Sequence, residues 1–221
     1  MTTTARGTGR PKGGYYTADN TRVPSVTTIT GRFKESGALL HWANRMGLEG
    51  KDLNEARDSA TDVGSLVHSM IEAEINWAQM PEIPEEFAER AQSAFGAWQT
   101  WFESVRAEIV ATELPLVSEE HRFGGTLDCV IRDKQGRLAL ADWKTSNAVY
   151  GEYLTQMAAY GMLWNETQPE PLTGGYHLVR ISKEYGDLEH RHFPALEEAE
   201  ELFALLLRAY DLDKRVSKRA K

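Results

Sequence analysis

The chain has 221 residues, a formal net charge of −8, 41% hydrophobic residues and 26% charged residues. This balance indicates a folded protein and excludes a disordered or fibrous chain, and the length suits a single domain. The one cysteine, Cys129, excludes an internal disulfide, a four-cysteine zinc site and an iron–sulfur cluster held by cysteines of this chain. Because the first residues are polar and no run of about eighteen apolar residues occurs, we expect a cytoplasmic protein that does not contact a membrane.

Both ends of the chain are basic although the whole is acidic. Residues 1–58 carry nine Lys and Arg against six Asp and Glu, and residues 208–221 carry six against two. The net charge argues against non-specific coating of nucleic acid. The basic C-terminal end fits either a solvated tail or a surface that contacts phosphates, and the composition leaves both open.

The predicted elements give an α/β order with an N-terminal helical elaboration. After a flexible leader over 1–13, aromatic and β-branched residues around turn formers predict a short hairpin that ends at Pro24. Helical periodicity dominates 36–108, and strand and helix patterns follow over 109–216 in the order β, β, β, α, β, β, α. We therefore expect one domain over 14–216, built on a central mixed β-sheet flanked by helices, and a basic tail over 217–221.

Two aspartates and a lysine occupy neighbouring predicted strands in the stretch "GGTLDCVIRDKQGRLALADWKTS", residues 124–146. Strand alternation places Asp128 on the face of Thr126 and Val130, and it places Asp142 beside Lys144. Two partly buried carboxylates repel each other unless a divalent cation and the lysine neutralise them, and oxygen ligands favour Mg²⁺ or Mn²⁺ over zinc. An ordinary surface ion pair between Asp142 and Lys144 is the alternative.

The spacing of three motifs resembles the PD-(D/E)XK nuclease superfamily in its RecB-like branch. The motifs are "GGTLD", "DWK" after thirteen further residues, and "QMAAY" on the next helix. Leu127 stands where the proline of the family's name would be. Upstream, "DVGSLVH" resembles the branch's Gly-x-x-x-His helix, and "VPSVTTI" with "LLHWANRMG" resembles phage single-strand exonucleases and the mitochondrial genome-maintenance exonuclease.

The resemblance implies a restriction-endonuclease-like core that hydrolyses phosphodiesters with one or two Mg²⁺ or Mn²⁺ ions. Its catalytic residues would be Asp128, Asp142 and Lys144. Its metal ligands would be His68, Glu113, Asp128, Asp142 and the carbonyl of Trp143. For His68 a packed helical residue is the alternative, and for Glu113 a solvated strand residue is.

Substrate contacts are expected from two further places. Gln156 and Tyr160 lie four residues apart on one helical face, where they reach the active site or a phosphate, or serve core packing. A loop near the N-terminus offers further phosphate contacts through Arg22, Ser25, Thr27 and Thr28. That loop could equally be a hinge.

We therefore expect a metal-dependent DNA exonuclease that acts on single strands or DNA ends in recombination, repair or replication, with a phage origin suggested by the N-terminal resemblance. DNA is the expected partner, together with a single-strand-binding or recombination protein. ATP is not expected, since no phosphate-binding loop is present. A structure-specific or restriction-like endonuclease and a non-catalytic DNA-binding module are the alternatives.

Overall fold

A computed structural model describes residues 5–6, 11–34, 37–50, 53–182 and 187–220. Residues 1–4 and 7–10 of the predicted leader lie outside this part of the chain, so the leader and the domain limits stay predictions. Among the helices of the described ranges, none has the length and apolar character needed to cross a bilayer.

From residue 37 onward the helices and strands follow the predicted order, whereas the strand over 5–6 and the helix over 26–32 were not predicted. The helices are α1 (Val26–Arg32), α2 (Gly37–Leu48), α3 (Leu53–Asn76), α4 (Ala88–Val105), α5 (Gly151–Thr167) and α6 (Glu197–Arg219). The strands are β1 (Ala5–Arg6), β2 (Tyr15–Tyr16), β3 (Arg22–Val23), β4 (Glu108–Val117), β5 (Gly124–Arg132), β6 (Leu138–Thr145), β7 (Leu172–Ile181) and β8 (Leu188–Phe193).

The main sheet is mixed, as predicted, and its six strands run in the order β1-β4-β5-β6-β7-β8. The β1–β4 and β6–β7 pairs are parallel, and the other three pairs are antiparallel. Each face of the sheet carries its own buried core. One core is formed with α1, α5 and α6, and the other with α3 and α4. The sheet is therefore the middle layer of three, and its central strands are shielded from water on both faces.

Strand β6 lies in the centre of this sheet and contributes to both cores. Leu138 and Leu140 belong to the core on the α5 side, whereas Ala139, Ala141 and Trp143 belong to the core on the α3 and α4 side. Alternation therefore holds along β6.

Aromatic side chains of α4 pack against the face of β6 that carries Trp143. Phe95, Trp98 and Phe102 of α4 form a stack with ring centroids 5.8 and 5.2 Å apart. Trp98 meets Trp143 edge-on at 5.9 Å. The backbone that carries Asp142 and Lys144 is therefore packed, on the face of Trp143, against the buried ring of Trp98.

Near the N-terminus, the structure confirms the predicted hairpin and adds a helix. Strands β2 and β3 pair antiparallel just before Pro24. The next residues, predicted as a loop, form α1, whose N-terminus is capped by Ser25. Its hydroxyl accepts a hydrogen bond from the backbone N–H of Thr28 at 3.1 Å. The prediction was wrong here because β-branched residues fill this helix and weaken its helical signal, while tertiary packing of Val26 and Ile29 stabilises it.

Two glycines at the start of β5 allow tyrosine rings to approach the strand backbone. A Cβ atom at Gly124 would lie 2.5 Å from Cβ of Tyr15, and one at Gly125 would lie 2.7 Å from Cε1 of Tyr160. Both distances are far below van der Waals contact. The "GG" of the motif is therefore a packing requirement that brings Tyr15 and Tyr160 against β5.

We expect Gly125→Ala to lower the free energy of unfolding by about 1–3 kcal/mol, because the added methyl group displaces the buried Tyr160 ring. Chemical denaturation measures this change. Gly96→Ala is the matched control, since a Cβ at this helical position meets nothing within 4 Å. It should leave stability unchanged or raise it by up to about 1 kcal/mol. Equal stability of the two variants would contradict the packing role of Gly125.

Candidate active site

Strands β5 and β6 part where the two aspartates lie. Their paired segment ends at Cys129 and Ala141, and Asp128 and Asp142 are the next residues on either strand. Beyond this point the backbone N–H of Trp143 donates a hydrogen bond to Oδ2 of Asp128 at 3.3 Å. The divergence opens space between the strands, and one carboxylate from each borders it.

Side-chain alternation fails at the same level of the sheet. Leu127 and Val130 both belong to the core on the α5 side, whereas strict alternation predicts opposite faces. The predicted uniform alternation of β5 is therefore wrong across Asp128. The neighbouring strand β4 is distorted here as well, because Glu113 has a φ of 44°. A left-handed conformation of this kind costs a non-glycine residue about 1–3 kcal/mol and occurs where structure re-aims a side chain.

The distortion gathers three side chains from three elements. His68 of α3, Glu113 of β4 and Asp128 of β5 each offer one ligand atom, and these atoms lie within 4.8 Å of one another. All three side chains are half-buried. Because imidazole nitrogen and carboxylate oxygens are established ligands of divalent ions, the group could hold a metal. The roles of His68 and Glu113 as metal ligands stay predictions.

Asp142 and Lys144 form a buried ion pair beside this group. Nζ of Lys144 lies 2.6 Å from Oδ2 of Asp142, and the two side chains are 16% and 0% exposed. This burial excludes the alternative of a surface ion pair. Among the residues that the structure describes, no donor hydrogen-bonds to Oδ1 of Asp142, which is fully buried. A buried carboxylate oxygen without a donor is costly and suits a cation.

Burial sets the protonation of the carboxyl groups. Desolvation raises the pKa of Glu113 to about 8, with further repulsion from Asp128 and Glu72. Desolvation also raises the pKa of Asp142 to about 6, although the attraction of Lys144 opposes the rise. The pKa of Asp128 is raised by burial too, against Lys144 and the N–H of Trp143. Three carboxyl groups thus share one site, and the neighbouring groups do not supply enough positive charge to balance them.

Lys144 remains protonated in this surrounding. Burial alone would lower its pKa, but the carboxylates of Asp142 and Asp128 outweigh burial and raise the pKa above its usual value. One ammonium leaves two negative charges uncompensated when all three carboxyl groups are ionised, and the raised pKa values of Glu113 and Asp142 reflect this repulsion and their burial. The residues therefore fit a divalent cation, by their donor atoms, by the uncompensated charge and by the unpartnered oxygen of Asp142.

This constellation has a counterpart in a known family. The sequence profile of the PD-(D/E)XK nuclease superfamily matches residues 73–218, which include both strand aspartates and Lys144. The chain belongs to the PD-(D/E)XK nuclease superfamily. His68 lies just before the matched region, so the geometry of the structure, and not the profile, brings it into the site.

Solved structures resemble this nuclease only distantly. The alkaline exonuclease of Laribacter hongkongensis in complex with dAMP gives a TM-score of 0.37 at 14% identity, over 71% of this chain and 86% of that one. A second structure of that enzyme gives 0.35 at 13% identity, with the same coverage. An exonuclease candidate from Eubacterium rectale gives 0.41 at 15% identity, over 83% of this chain and 71% of that one. No curated protein matches the chain.

The two predicted residues of α5 lie close to the ion pair of the nuclease. Nε2 of Gln156 donates a hydrogen bond to the hydroxyl of Tyr160 at 2.7 Å. Burial raises the pKa of Tyr160 above its usual value, although the charge of Lys144 opposes the rise. The phenol is therefore neutral, and since its oxygen already accepts from Gln156, its own O–H is oriented to donate elsewhere.

The predicted residues near the N-terminus lie apart from the carboxylates. Ser25 is the buried cap of α1, and its Oγ also lies 3.1 Å from Oγ1 of Thr27 and 2.8 Å from Oγ1 of Thr28. Arg22, Ser25 and Thr28 line a different cavity, which α6 closes on one side. The capping contacts explain Ser25 and Thr28 without a ligand, so their role toward substrate stays a prediction.

Two residues of the site were missed from the sequence. Glu72 adds to the repulsion on Glu113, and the ring of Tyr153 lies 5.7 Å from Nζ of Lys144. The position of Glu72 four residues after His68 on α3 was an available signal, because residues four apart share a helix face. Tyr153 offered the same kind of signal, because it lies three residues before Gln156 on α5 and shares its face.

Without metal, the stability of this nuclease should fall as pH rises. A carboxyl group whose pKa is raised from 4.5 to about 8 holds a proton longer in the folded state than in the unfolded state. The group therefore stabilises the folded state fully at a pH below its pKa in the unfolded state. This stabilisation is lost as the pH rises through its pKa in the folded state. Urea unfolding of the protein in EDTA between pH 5 and pH 9 measures the loss.

Glu113→Gln serves as the control, because glutamine does not titrate. Its stability should decline less than that of the unaltered protein over the same pH range, and added divalent metal should flatten the decline of the unaltered protein. Parallel curves for the two proteins in EDTA would refute the assignment of the loss to Glu113.

Proposed function

We propose that this nuclease is a metal-dependent DNA exonuclease that acts on single strands or DNA ends, in recombination, repair or replication. The observation that carries the proposal is the convergence of Asp128, Asp142 and Lys144 on diverging strands, with His68 and Glu113 completing a donor set. Membership of the superfamily supports phosphodiester hydrolysis. The RecB-like motifs and the N-terminal resemblance to single-strand exonucleases support the choice of substrate and mode.

In this proposal the metal ligands are the five groups expected from the sequence. They are His68, Glu113, Asp128, Asp142 and the carbonyl of Trp143. One or two Mg²⁺ or Mn²⁺ ions, when bound, supply positive charge to the scissile phosphate and lower the pKa of water. The imidazole ligand makes Mn²⁺ acceptable alongside Mg²⁺.

Lys144 supplies fixed positive charge to the reaction. Because its pKa is raised by the carboxylates, it does not act as a general base at neutral pH. Its ammonium instead donates hydrogen bonds toward a phosphate oxygen or the attacking water, where negative charge grows in the transition state. Asp142 holds the ammonium in position by the 2.6 Å contact. The pair therefore couples orientation of the lysine to the metal ligand beside it.

Tyr160 and Gln156 position the substrate. The hydroxyl of Tyr160 accepts from Gln156 and is free to donate its proton to a phosphate oxygen. Both residues are on α5, which packs against β5 and β6. They therefore lie near the strand carboxylates.

Digestion of labelled DNA tests the proposal directly. With Mg²⁺ or Mn²⁺ we expect linear single strands to be degraded from an end and circular single strands to stay intact. Lys144→Ala should lower the rate on the order of 10²- to 10³-fold, as the loss of one charge-stabilising donor does in other active sites. Electrophoresis of DNA labelled at one end also gives the direction of digestion.

Lys134→Ala is the matched control, since Lys134 is an exposed lysine of the β5–β6 turn. It should retain full activity. Opened circles would replace the exonuclease by an endonuclease of the same fold. Equal activity of Lys144→Ala and Lys134→Ala would refute the assigned site.

Metal binding separates an enzyme from a non-catalytic DNA-binding module. We expect Mn²⁺ to raise the melting temperature of the unaltered protein and to leave that of Asp128→Asn unchanged, because the variant loses a ligand charge at the centre of the donor set. Differential scanning fluorimetry at several metal concentrations measures the shift. Asp211→Asn, an exposed carboxylate of α6, should behave like the unaltered protein. A shift in all three proteins would contradict the assigned ligands.

A further inference from the structure

A groove runs between the N-terminal hairpin, α1 and the C-terminal half of α6. Two cavities of about 500 and 410 Å³ form it, and they share Thr28, Tyr210 and Lys214 as lining residues. Both cavities are open to solvent and share one wall, so they lie side by side on the surface. We call the two together the α6 groove.

The α6 groove is positive on a protein that is negative. Its lining has four cationic side chains, Arg22, Arg32, Lys214 and Lys218, against one acid, Asp213. Asp213 is already paired with Arg32, at 2.7 Å. The whole chain has a formal charge of −8. A local excess of positive charge attracts polyanions. Without an anionic ligand, repulsion among the cations would lower the stability of the folded protein.

Hydroxyl groups lie between these cations. Ser25, Thr28, Tyr210 and Ser217 are all part of the lining. Cationic side chains combined with hydroxyl donors are the groups that contact phosphate oxygens and sugars in nucleic-acid complexes. Aromatic Tyr210 lies under Nζ of Lys214, at 5.4 Å from the ring centroid. The chemistry of the groove therefore suits a phosphodiester backbone.

Helical periodicity presents the basic residues of α6 as one row. Tyr210, Lys214 and Lys218 are four residues apart and share a face, and they span about 12 Å along the axis. This length exceeds a single phosphate group. The helix continues to Arg219, so Lys214 and Lys218 are both held on α6.

One wall of the α6 groove is bonded to strand β5. Tyr15 lines the smaller cavity, and its hydroxyl lies 2.8 Å from Oγ1 of Thr126. Thr126 precedes Asp128 by two residues on β5, a distance of about 7 Å in an extended strand. The backbone N–H of Gly124 also donates to the carbonyl of Pro24, at 3.0 Å. One wall of the groove is thus attached to the strand that carries Asp128.

We propose that the α6 groove binds the phosphodiester backbone of the nucleic-acid strand whose adjoining nucleotides lie at Asp128 and Asp142. The assignment rests on the proposed nuclease function for the position of the cleaved bond, while binding in the groove is measurable without cleavage. The contacts are to phosphates and sugars, so the groove gives length-dependent affinity and no sequence preference.

Binding of fluorescently labelled poly-dT of about 20 nucleotides to the full chain in EDTA tests the proposal, by fluorescence anisotropy at several salt concentrations. The double variant Lys214→Ala with Lys218→Ala should bind on the order of tenfold more weakly. The slope of log affinity against log salt should fall by about 1.4, that is about 0.7 for each phosphate that a lysine no longer neutralises.

The matched control is Arg208→Ala with Arg215→Ala. These exposed residues are on the same helix, about 100–120° around its axis from Lys214, so the charge change is equal but away from the groove. The control should keep the affinity and salt slope of the unaltered protein. Equal weakening in both double variants, or no DNA binding by the unaltered protein, would overturn the groove.

The two proposals fail in different ways. Loss of affinity confined to the groove variant, in a protein that cleaves no DNA, would leave the groove standing and refute the nuclease function. Full affinity of the groove variant, in a protein that degrades DNA, would refute the groove and leave the nuclease function standing.

Discussion

The buried contact between Asp142 and Lys144 constrains the whole molecule. A carboxylate with no exposed surface on the central strand of a sheet is tolerated only with compensation from charge. The lysine supplies part of it, and its position one residue beyond Trp143 is secured by aromatic packing on the opposite face. The two cores on either side of the sheet therefore do more than stabilise the fold, because they hold a costly charge pair at one geometry.

The remaining site residues are arranged around this pair by distortions of regular structure. Strands β5 and β6 separate at the aspartates, and Glu113 of β4 adopts a left-handed backbone conformation. Each distortion costs free energy, either through lost sheet hydrogen bonds or through a strained backbone conformation. Each also brings a carboxylate to the same space. The gain from such an arrangement lies in binding and chemistry, since the stability of the empty fold would be greater without it.

Much of this architecture could be predicted from the sequence. Element order, the mixed sheet and the hairpin followed from periodicity and turn residues, and the motif spacing led to Asp128, Asp142, Lys144, Gln156 and Tyr160. Helix α1 could not be predicted because tertiary contacts override its weak local preference. The loss of alternation across Asp128 could not be predicted either, since local sequence does not report the strained conformation of Glu113 on the neighbouring strand. The α6 groove joins residues of the N-terminal segment to residues of the C-terminal helix, and sequence periodicity does not relate segments so far apart.

The donor set draws its members from two structural units. Glu113 and Asp128 belong to the sheet, but His68 is carried by α3, which packs on the sheet from one side. A fluctuation that lifts the middle of α3 would remove the imidazole while the sheet stays folded. A bound ion stabilises only the arrangement in which α3 is packed on the sheet with His68 in the site. Occupancy of the site and order of this helix are therefore thermodynamically linked. The metal would thereby act as a clasp between the N-terminal helices and the sheet, and its loss would loosen their docking before global unfolding.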